Sequence, residues 1–357
     1  MKTRTWFILI LCILLISYIF YVMVVCDQCK KRRQSREEAL QMKESFDDGT
    51  QKLILTNCDS LGEFHQGNQD TSSIPNIIWM FWEGPMNHVV ETCIESWKFY
   101  NPTYDIRVLN KSNCATYTDM HVATHILKDD SAKRGVQRNM DIHSLRHANE
   151  NNTRFSDFLR ALILSKHGGF WVDASIICHH PISWVHAIQR SYQVEFVGYY
   201  TGNKSMPTVE NWFFACVPDS AFMRDWCQEF VRFNEFPSAN DYLSDVRNQG
   251  INLDNMPYLD YLTMHASAQQ VLQSHPDTYR IYLFCANSGP LLYIEQVGWD
   301  YPRAVDLLTN TDTCESFYQY TMIKLPNGPR NEMLHRKLSD VQRAISIGTQ
   351  VPIKPPG

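Results

Sequence analysis

The chain reads as an α/β protein with a mostly parallel sheet flanked by helices, and two observations carry that expectation. Short apolar runs alternate with amphipathic helical segments from Ile74 to about Leu325, the pattern of successive βα units. Within that span, residues 154–176 (RFSDFLRALILSKHGGFWVDASI) read as a helix, a double-glycine stop and a buried strand ending on one acid.

The elements follow in order. Residues 76–81 are an apolar run bounded by Pro75 and by Gly84-Pro85, as expected of a first buried strand. Residues 89–99 have helical spacing and stop at Asn101-Pro102, and 104–109 alternate like a second strand. Residues 128–152 are almost wholly polar, a long excursion or an exposed helix. Phe155, Phe158, Leu159, Leu162 and Ile163 then recur at helical spacing and give the next helix one apolar face. Gly168-Gly169 ends it, because glycine takes the left-handed turn cheaply. Phe170-Trp171-Val172 is too short and too apolar for anything but an interior strand. Strands over 194–200 and 212–217, helices over 221–233 and 258–273, and short strands over 281–284 and 322–325 complete the pattern.

Asp173 therefore stands at the carboxyl end of a buried strand, where open α/β sheets place their ligands. Asp157 and Arg160, three apart on the helix, share a face. A guanidinium between two carboxylates suits a sugar joined to a diphosphate. Arginine forks onto phosphate, aspartate accepts sugar hydroxyls, and Asp173 can hold a divalent cation.

Composition bounds the partners. The net charge of −5 over 357 residues, with no dense basic face, argues against nucleic acid. No P-loop, G-x-S-x-G or H-E-x-x-H motif occurs, nor any internal repeat. Eight cysteines beyond residue 29 permit disulfides without requiring them.

Residues 6–25 carry no charge, and at about 1.5 Å per residue they reach roughly 30 Å as a helix, the thickness of the hydrocarbon layer. They are expected to be a single-pass anchor, preceded by a tail over 1–5 and followed by a polar stem over 26–73. The folded domain is expected over 74–340 and a tail over 341–357. The basic cluster Lys30 to Arg36 would by itself keep the domain cytosolic. The sequons at Asn110, Asn151 and Asn203 favour the lumen, giving a type II glycoprotein of the Golgi or endoplasmic reticulum as the expectation.

Four motifs in order resemble the capsular polysaccharide synthesis protein family and its relatives in glycosyltransferase family 32. They are Ile74-Pro75-Asn76-Ile77-Ile78 with Trp82, Trp97 with Asn101-Pro102-Thr103-Tyr104, Ser156-Asp157-Phe158-Leu159-Arg160, and Gly168-Gly169-Phe170-Trp171-Val172-Asp173. Glu210-Asn211-Trp212-Phe213 also looks like the capsular family. The resemblance implies a GT-A-like fold and a hexosyltransferase-type enzyme. Such an enzyme moves sugar from a nucleotide-sugar donor, UDP-linked by preference, to a glycan, polysaccharide or glycoconjugate, with retention of configuration. It implies that Trp82 packs near the base and that Asp157 and Arg160 hold the donor sugar and phosphates. Asn211 would be a donor contact, and Asp173 the first acid of a DxD-like metal motif for Mn²⁺ or Mg²⁺. The sequence departs at Ser175, where family 32 has a second Asp; a hydroxyl is a poorer ligand, which leaves Ser175 the weaker candidate for metal and donor. A catalytically inactive sugar- or nucleotide-sugar-binding protein of the same fold is the alternative.

Blander readings compete at each position. Asp157/Arg160 could be a surface ion pair worth about 0.3–0.5 kcal/mol, and Asp173 a turn cap. Trp82 divides evenly between core and base platform, while Trp97, Trp171 and Trp212 are expected in the core. His179-His180 cannot easily both face one ion. Asp254, Asp260 and His265 remain open as acid, base or acceptor contacts.

Overall fold

A computed structural model describes residues 54–56, 73–118, 120–121, 139–203, 206–254, 256 and 258–344. The expected tails (1–5 and most of 341–357), the anchor and most of the stem lie outside those residues. The expected single-pass membrane location is not borne out: among the described residues no helix is long and apolar enough to cross a membrane.

The order of elements bears out the α/β pattern. Strands β1 (Ile54–Thr56) and β2 (Ile77–Phe81) lead to helix α1 (His88–Tyr100) and strand β3 (Asp105–Leu109). A small pair, β4 (Met120–His121) and β5 (Asn139–Met140), precedes helix α2 (Asn152–His167) and strands β6 (Gly169–Val172) and β7 (Ile176–Cys178). Helix α3 (Ser183–Tyr192), strands β8 (Phe196–Asn203) and β9 (Met206–Cys216), and helices α4 (Ala221–Arg232), α5 (Ala239–Asn248) and α6 (Thr263–Ser274) follow. The chain continues with β10 (Ile281–Cys285), α7 (Tyr301–Thr309), β11 (Met322–Lys324), α8 (Asn327–Met333) and α9 (Leu338–Ala344).

The main sheet has seven strands in the order β1-β10-β8-β9-β6-β2-β3. Only β9 runs against its neighbours, so the sheet is mostly parallel, as expected. β1 lies within the stretch assigned to the stem, yet it pairs with β10 at the sheet edge. Its three apolar-to-polar residues, isolated in a polar stretch, are too few to announce a strand without their partner. Residues 142–144 and 147–149 are 3-10 turns rather than one exposed helix. The helix expected from 258 starts instead at Thr263, because residues 258–262 turn back on themselves through Tyr258, whose φ is +52°.

Helix α2 shows why the central motif folds as it does. Asn151 caps its start by accepting from the Arg154 amide at 2.8 Å, satisfying one of the otherwise orphaned donors. Phe155, Phe158, Leu159, Leu162 and Ile163 are all fully buried, and Phe158 stacks on Phe230 of α4 with centroids 4.3 Å apart. Gly168 ends the helix at φ +61° and Gly169 enters β6 at φ +93°. The indole Nε1 of Trp79 donates to the Gly168 carbonyl at 3.0 Å, which pins the turn against β2. Trp97, Trp171 and Trp212 are in the core, as expected.

Cys93, Cys114, Cys178, Cys216, Cys227 and Cys314 are free thiols. Burial pushes Cys93, Cys178 and Cys227 up to about 12, so they pack as small apolar groups.

His179 is equally sealed, and its ring nitrogens approach the carbonyls of Ala344 and Tyr320 at 2.9 and 3.3 Å. Burial pulls its pKa down to about 4, against about 6.5 when unfolded. The unfolded chain therefore takes up a proton that the folded chain refuses. This contribution is present above about pH 6.5 and lost towards pH 4, amounting to about 3 kcal/mol from His179. Urea unfolding at pH 7 and pH 5 is expected to show the loss, and His179→Gln to flatten it; an unchanged slope in the variant would refute the assignment.

Candidate active site

Because β2 and β6 run parallel, with Trp79 in register with Trp171, their carboxyl ends share one edge of the sheet. Trp82 follows the first strand and Asp173 the second. The antiparallel β9 brings Phe213 opposite Val172, and the Asp173 amide donates to the Trp212 carbonyl at 2.9 Å. Asn211 therefore stands beside the acid that closes β6.

The three residues singled out on α2 and β6 meet. Arg160 Nη2 reaches Asp173 Oδ1 at 3.2 Å, and Arg160 Nη1 lies 3.4 Å from Asp157 Oδ1. Asn211 Nδ2 donates to that same Asp157 oxygen at 3.0 Å. Arg160 and Asp157 are each only 4% exposed, so the reading as a surface ion pair is excluded.

Burial divides their roles. Arg160 spends its donors on the Ser156 carbonyl, the Ser156 hydroxyl, the Asn211 carbonyl and Asp173, and its guanidinium lies 5.0 Å over the Trp171 ring. It is a buttress that aims Asp173, and its fork has no edge left for a phosphate. Asp173 keeps 24% of its side chain exposed and is the acid a ligand can touch. Its Oδ1 accepts from Trp171 Nε1 at 3.1 Å and from Arg160, and its Oδ2 accepts from Lys324 Nζ at 2.5 Å.

The two carboxylates are driven apart electrostatically. Burial raises the Asp157 pKa and prevails over the attraction of Arg160, Arg154 and His265. Burial also acts upward on Asp173, but the charges of Lys324 and Arg160 and the hydrogen bonds from Lys324 and Trp171 outweigh it, so its pKa falls. Asp173 is therefore the firmly ionised member of the pair.

Sequence reasoning missed Lys324. It comes from β11, which pairs antiparallel with β7 and sets Lys324 opposite Ile176. A lysine on a short apolar run gives no signal until that pairing is known. Arg330 on α8 was also missed; its guanidinium lies 5.4 Å over the Trp82 ring and its charge acts on Lys324. Trp82 is partly exposed, and its Nε1 donates to the Pro85 carbonyl at 3.2 Å, so it is no core residue. Tyr261, 63% exposed, belongs to the same mouth. Its phenol is raised by partial burial and then by Asp157 and Asp173.

The other candidates make contacts of their own. His265 approaches Glu210 at 3.7 Å behind Asp157, and Glu210 also accepts from Thr201 at 2.6 Å. Asp260 offers its carbonyl to Arg154 at 2.9 Å, and Asp254 is exposed. His180 meets the Tyr318 carbonyl at 2.6 Å, and with His179 spent on Ala344 the two histidines form no metal pair.

The donor set does not fit the divalent cation expected of a DxD-like motif. Ser175 is 3% exposed and its hydroxyl donates to the Leu325 carbonyl at 3.1 Å. Both oxygens of Asp173 already accept from cationic groups. Among the described residues no group of three or more His, Cys, Asp or Glu could hold a metal ion.

The solved PaToxG glycosyltransferase is 13% identical, with a TM-score of 0.35, over 77% of this chain and 88% of that one. The ligand-free glycosyltransferase domain of the YGT toxin is 10% identical, with a TM-score of 0.34, over 70% of this chain and 95% of its own. No curated protein is similar enough to match. The sequence profile of the capsular polysaccharide synthesis protein family matches residues 31–245, which include Trp82, Asp157, Arg160, Asp173 and Asn211, and the chain belongs to that family.

Proposed function

We propose that the protein is a glycosyltransferase of the hexosyltransferase type, taking sugar from a nucleotide-sugar donor, UDP-linked by preference, to a glycan or glycoconjugate acceptor. The observation that carries this reading is the partly exposed Asp173, held between Arg160 and Lys324 at the carboxyl edge of the sheet. An ionised acid fixed among cations suits a sugar-diphosphate, whose hydroxyls need an acceptor and whose phosphates need positive charge. Trp82 would carry the base, with Arg330 over its ring. Tyr261 and the 81% exposed Tyr258 offer aromatic faces for the acceptor.

In the reaction the bond from the anomeric carbon to the β-phosphate oxygen breaks and a nucleoside diphosphate departs. The acceptor oxygen bonds to that carbon, and its proton passes to the departing phosphate oxygen. Retention of configuration fits this route, because no protein base is required. An inverting route would need a free carboxylate beside the acceptor hydroxyl, and both Asp157 and Asp173 are engaged with cations.

The test is a panel of UDP-, GDP- and CMP-sugars, followed by hydrolysis and by calorimetric binding to the full chain. One donor class is expected to bind and turn over, and Trp82→Ala to weaken its binding about tenfold through lost base stacking, near the upper part of the roughly 0.5–1.5 kcal/mol an aromatic pair contributes. Binding with no turnover would favour the non-catalytic alternative, and no binding at all would end the donor reading.

A further inference from the structure

We propose that Lys324 is the resident cation of this site, so that the donor diphosphate is bound and released without a divalent metal. The inference rests on the donor reading above and goes beyond it by naming the charge that meets the diphosphate.

The geometry points to Lys324 in three steps. Its ammonium lies 2.5 Å from Oδ2 of Asp173, the acid expected to hold a metal. Its side chain is 10% exposed, so it is built into the site and does not sweep across it. Its own backbone is tied on both sides: the Lys324 amide donates to the Pro290 carbonyl at 3.0 Å, and its carbonyl accepts from Tyr293 at 2.9 Å.

The same strand pairing that delivers the lysine removes the second metal ligand. The Leu325 amide donates to the Ser175 carbonyl at 3.1 Å, and the Ser175 hydroxyl donates back to the Leu325 carbonyl at 3.1 Å. Ser175 is thus spent locking residue 325, and residue 324 is aimed at Asp173.

Charge supports the exchange. A divalent ion on Asp173 would sit beside Lys324 and Arg160 and be repelled by both, while losing the second carboxylate that normally offsets its desolvation. Lys324 and Arg330 instead provide positive charge running from Asp173 towards Trp82, the direction a diphosphate would take between sugar and base. As the sugar–phosphate bond breaks, negative charge builds on the leaving oxygen, and a fixed ammonium stabilises it without needing to be recruited.

The experiment titrates the full chain with UDP, GDP and CDP by calorimetry, in excess EDTA and again with Mn²⁺, and separately with Mn²⁺ alone. Expected is nucleotide binding in EDTA that changes by less than about threefold with Mn²⁺, and no Mn²⁺ site on the protein alone. Lys324→Met is expected to weaken nucleotide binding about tenfold or more, and Lys324→Arg to retain most of it, since a charge-assisted contact is at stake. Circular dichroism and a melting curve confirm that each variant is folded. Nucleotide binding that needs Mn²⁺, or a Mn²⁺ site abolished by Asp173→Ala, would overturn this inference and leave the donor reading standing. Loss of nucleotide binding under every condition would instead overturn the donor reading, and the inference with it. The Mn²⁺ titration of the unmodified chain decides the metal question even if Lys324→Met fails to fold.

Discussion

Asp173→Asn is expected to lower turnover about a hundredfold or more, the scale of losing one preorganised charge at a reacting centre. The variant keeps the side-chain shape and loses only the charge that Arg160 and Lys324 were arranged around. Two cations then face each other across a neutral amide in a site where one is 4% and the other 10% exposed on its side chain. Breaking a buried pair by neutralising one member costs up to about 3–5 kcal/mol. The partial exposure of Asp173 puts the expected stability loss near the lower end. Turnover and unfolding must therefore be measured together. Kinetics taken well below the melting point, with circular dichroism to show a folded chain, separate the two effects. If folded Asp173→Asn transferred sugar at a rate near the unmodified protein, Asp173 would have no part in the chemistry. Asp157→Asn provides a contrast. That acid is sealed and held by Asn211 and Arg160, so its loss should act through the placement of Arg160.

A large and purely structural effect is expected from Gly169→Ala. Gly169 has φ +93°, a region that costs an L side chain about 1–2 kcal/mol. A Cβ built there would lie 2.7 Å from the Ile77 carbonyl oxygen and 3.2 Å from Trp79 Nε1. The first belongs to the backbone of β2, which is held to β6 by pairing and cannot yield without opening the ladder, and moving the indole would break its bond to the Gly168 carbonyl. Adding about 1–3 kcal/mol for overpacking gives a loss of about 2–5 kcal/mol. Gly250→Ala is the matched control, because its φ is +86° and no atom lies within 4 Å of the added Cβ. Guanidinium denaturation should place Gly169→Ala well below Gly250→Ala, and equal midpoints would show that the close approach to β2 is not what the glycine serves.

Residues 154–173 were legible because every rule they obey is local. Helical spacing, a glycine stop and an apolar run lie within one stretch of chain, and each acts over a few residues. Asp157, Arg160 and Asp173 could be expected to meet because helix, turn and strand fix their separation. Their division of labour could not. That Arg160 is a buttress and not a phosphate clamp follows from the Asn211 carbonyl and the Ser156 hydroxyl, and the former arrives on β9 from fifty-one residues away.

Strands too short to show a period were the part that stayed hidden. β1 and β7 have three residues each, and their identity depends on β10 and β11, each more than 120 residues distant; β11 was legible as a short strand over 322–325, but its pairing with β7 was not. Lys324 was invisible for the same reason: a lysine at the end of such a strand is ordinary until the pairing turns it towards Asp173.

The sequence by itself determined the alternating architecture, the family and the acid at the end of β6, since spacing and glycine stereochemistry operate along the chain. Only the tertiary structure decided which charges surround that acid, because a salt bridge between residues 173 and 324 is a fact of strand pairing and carries no local signature.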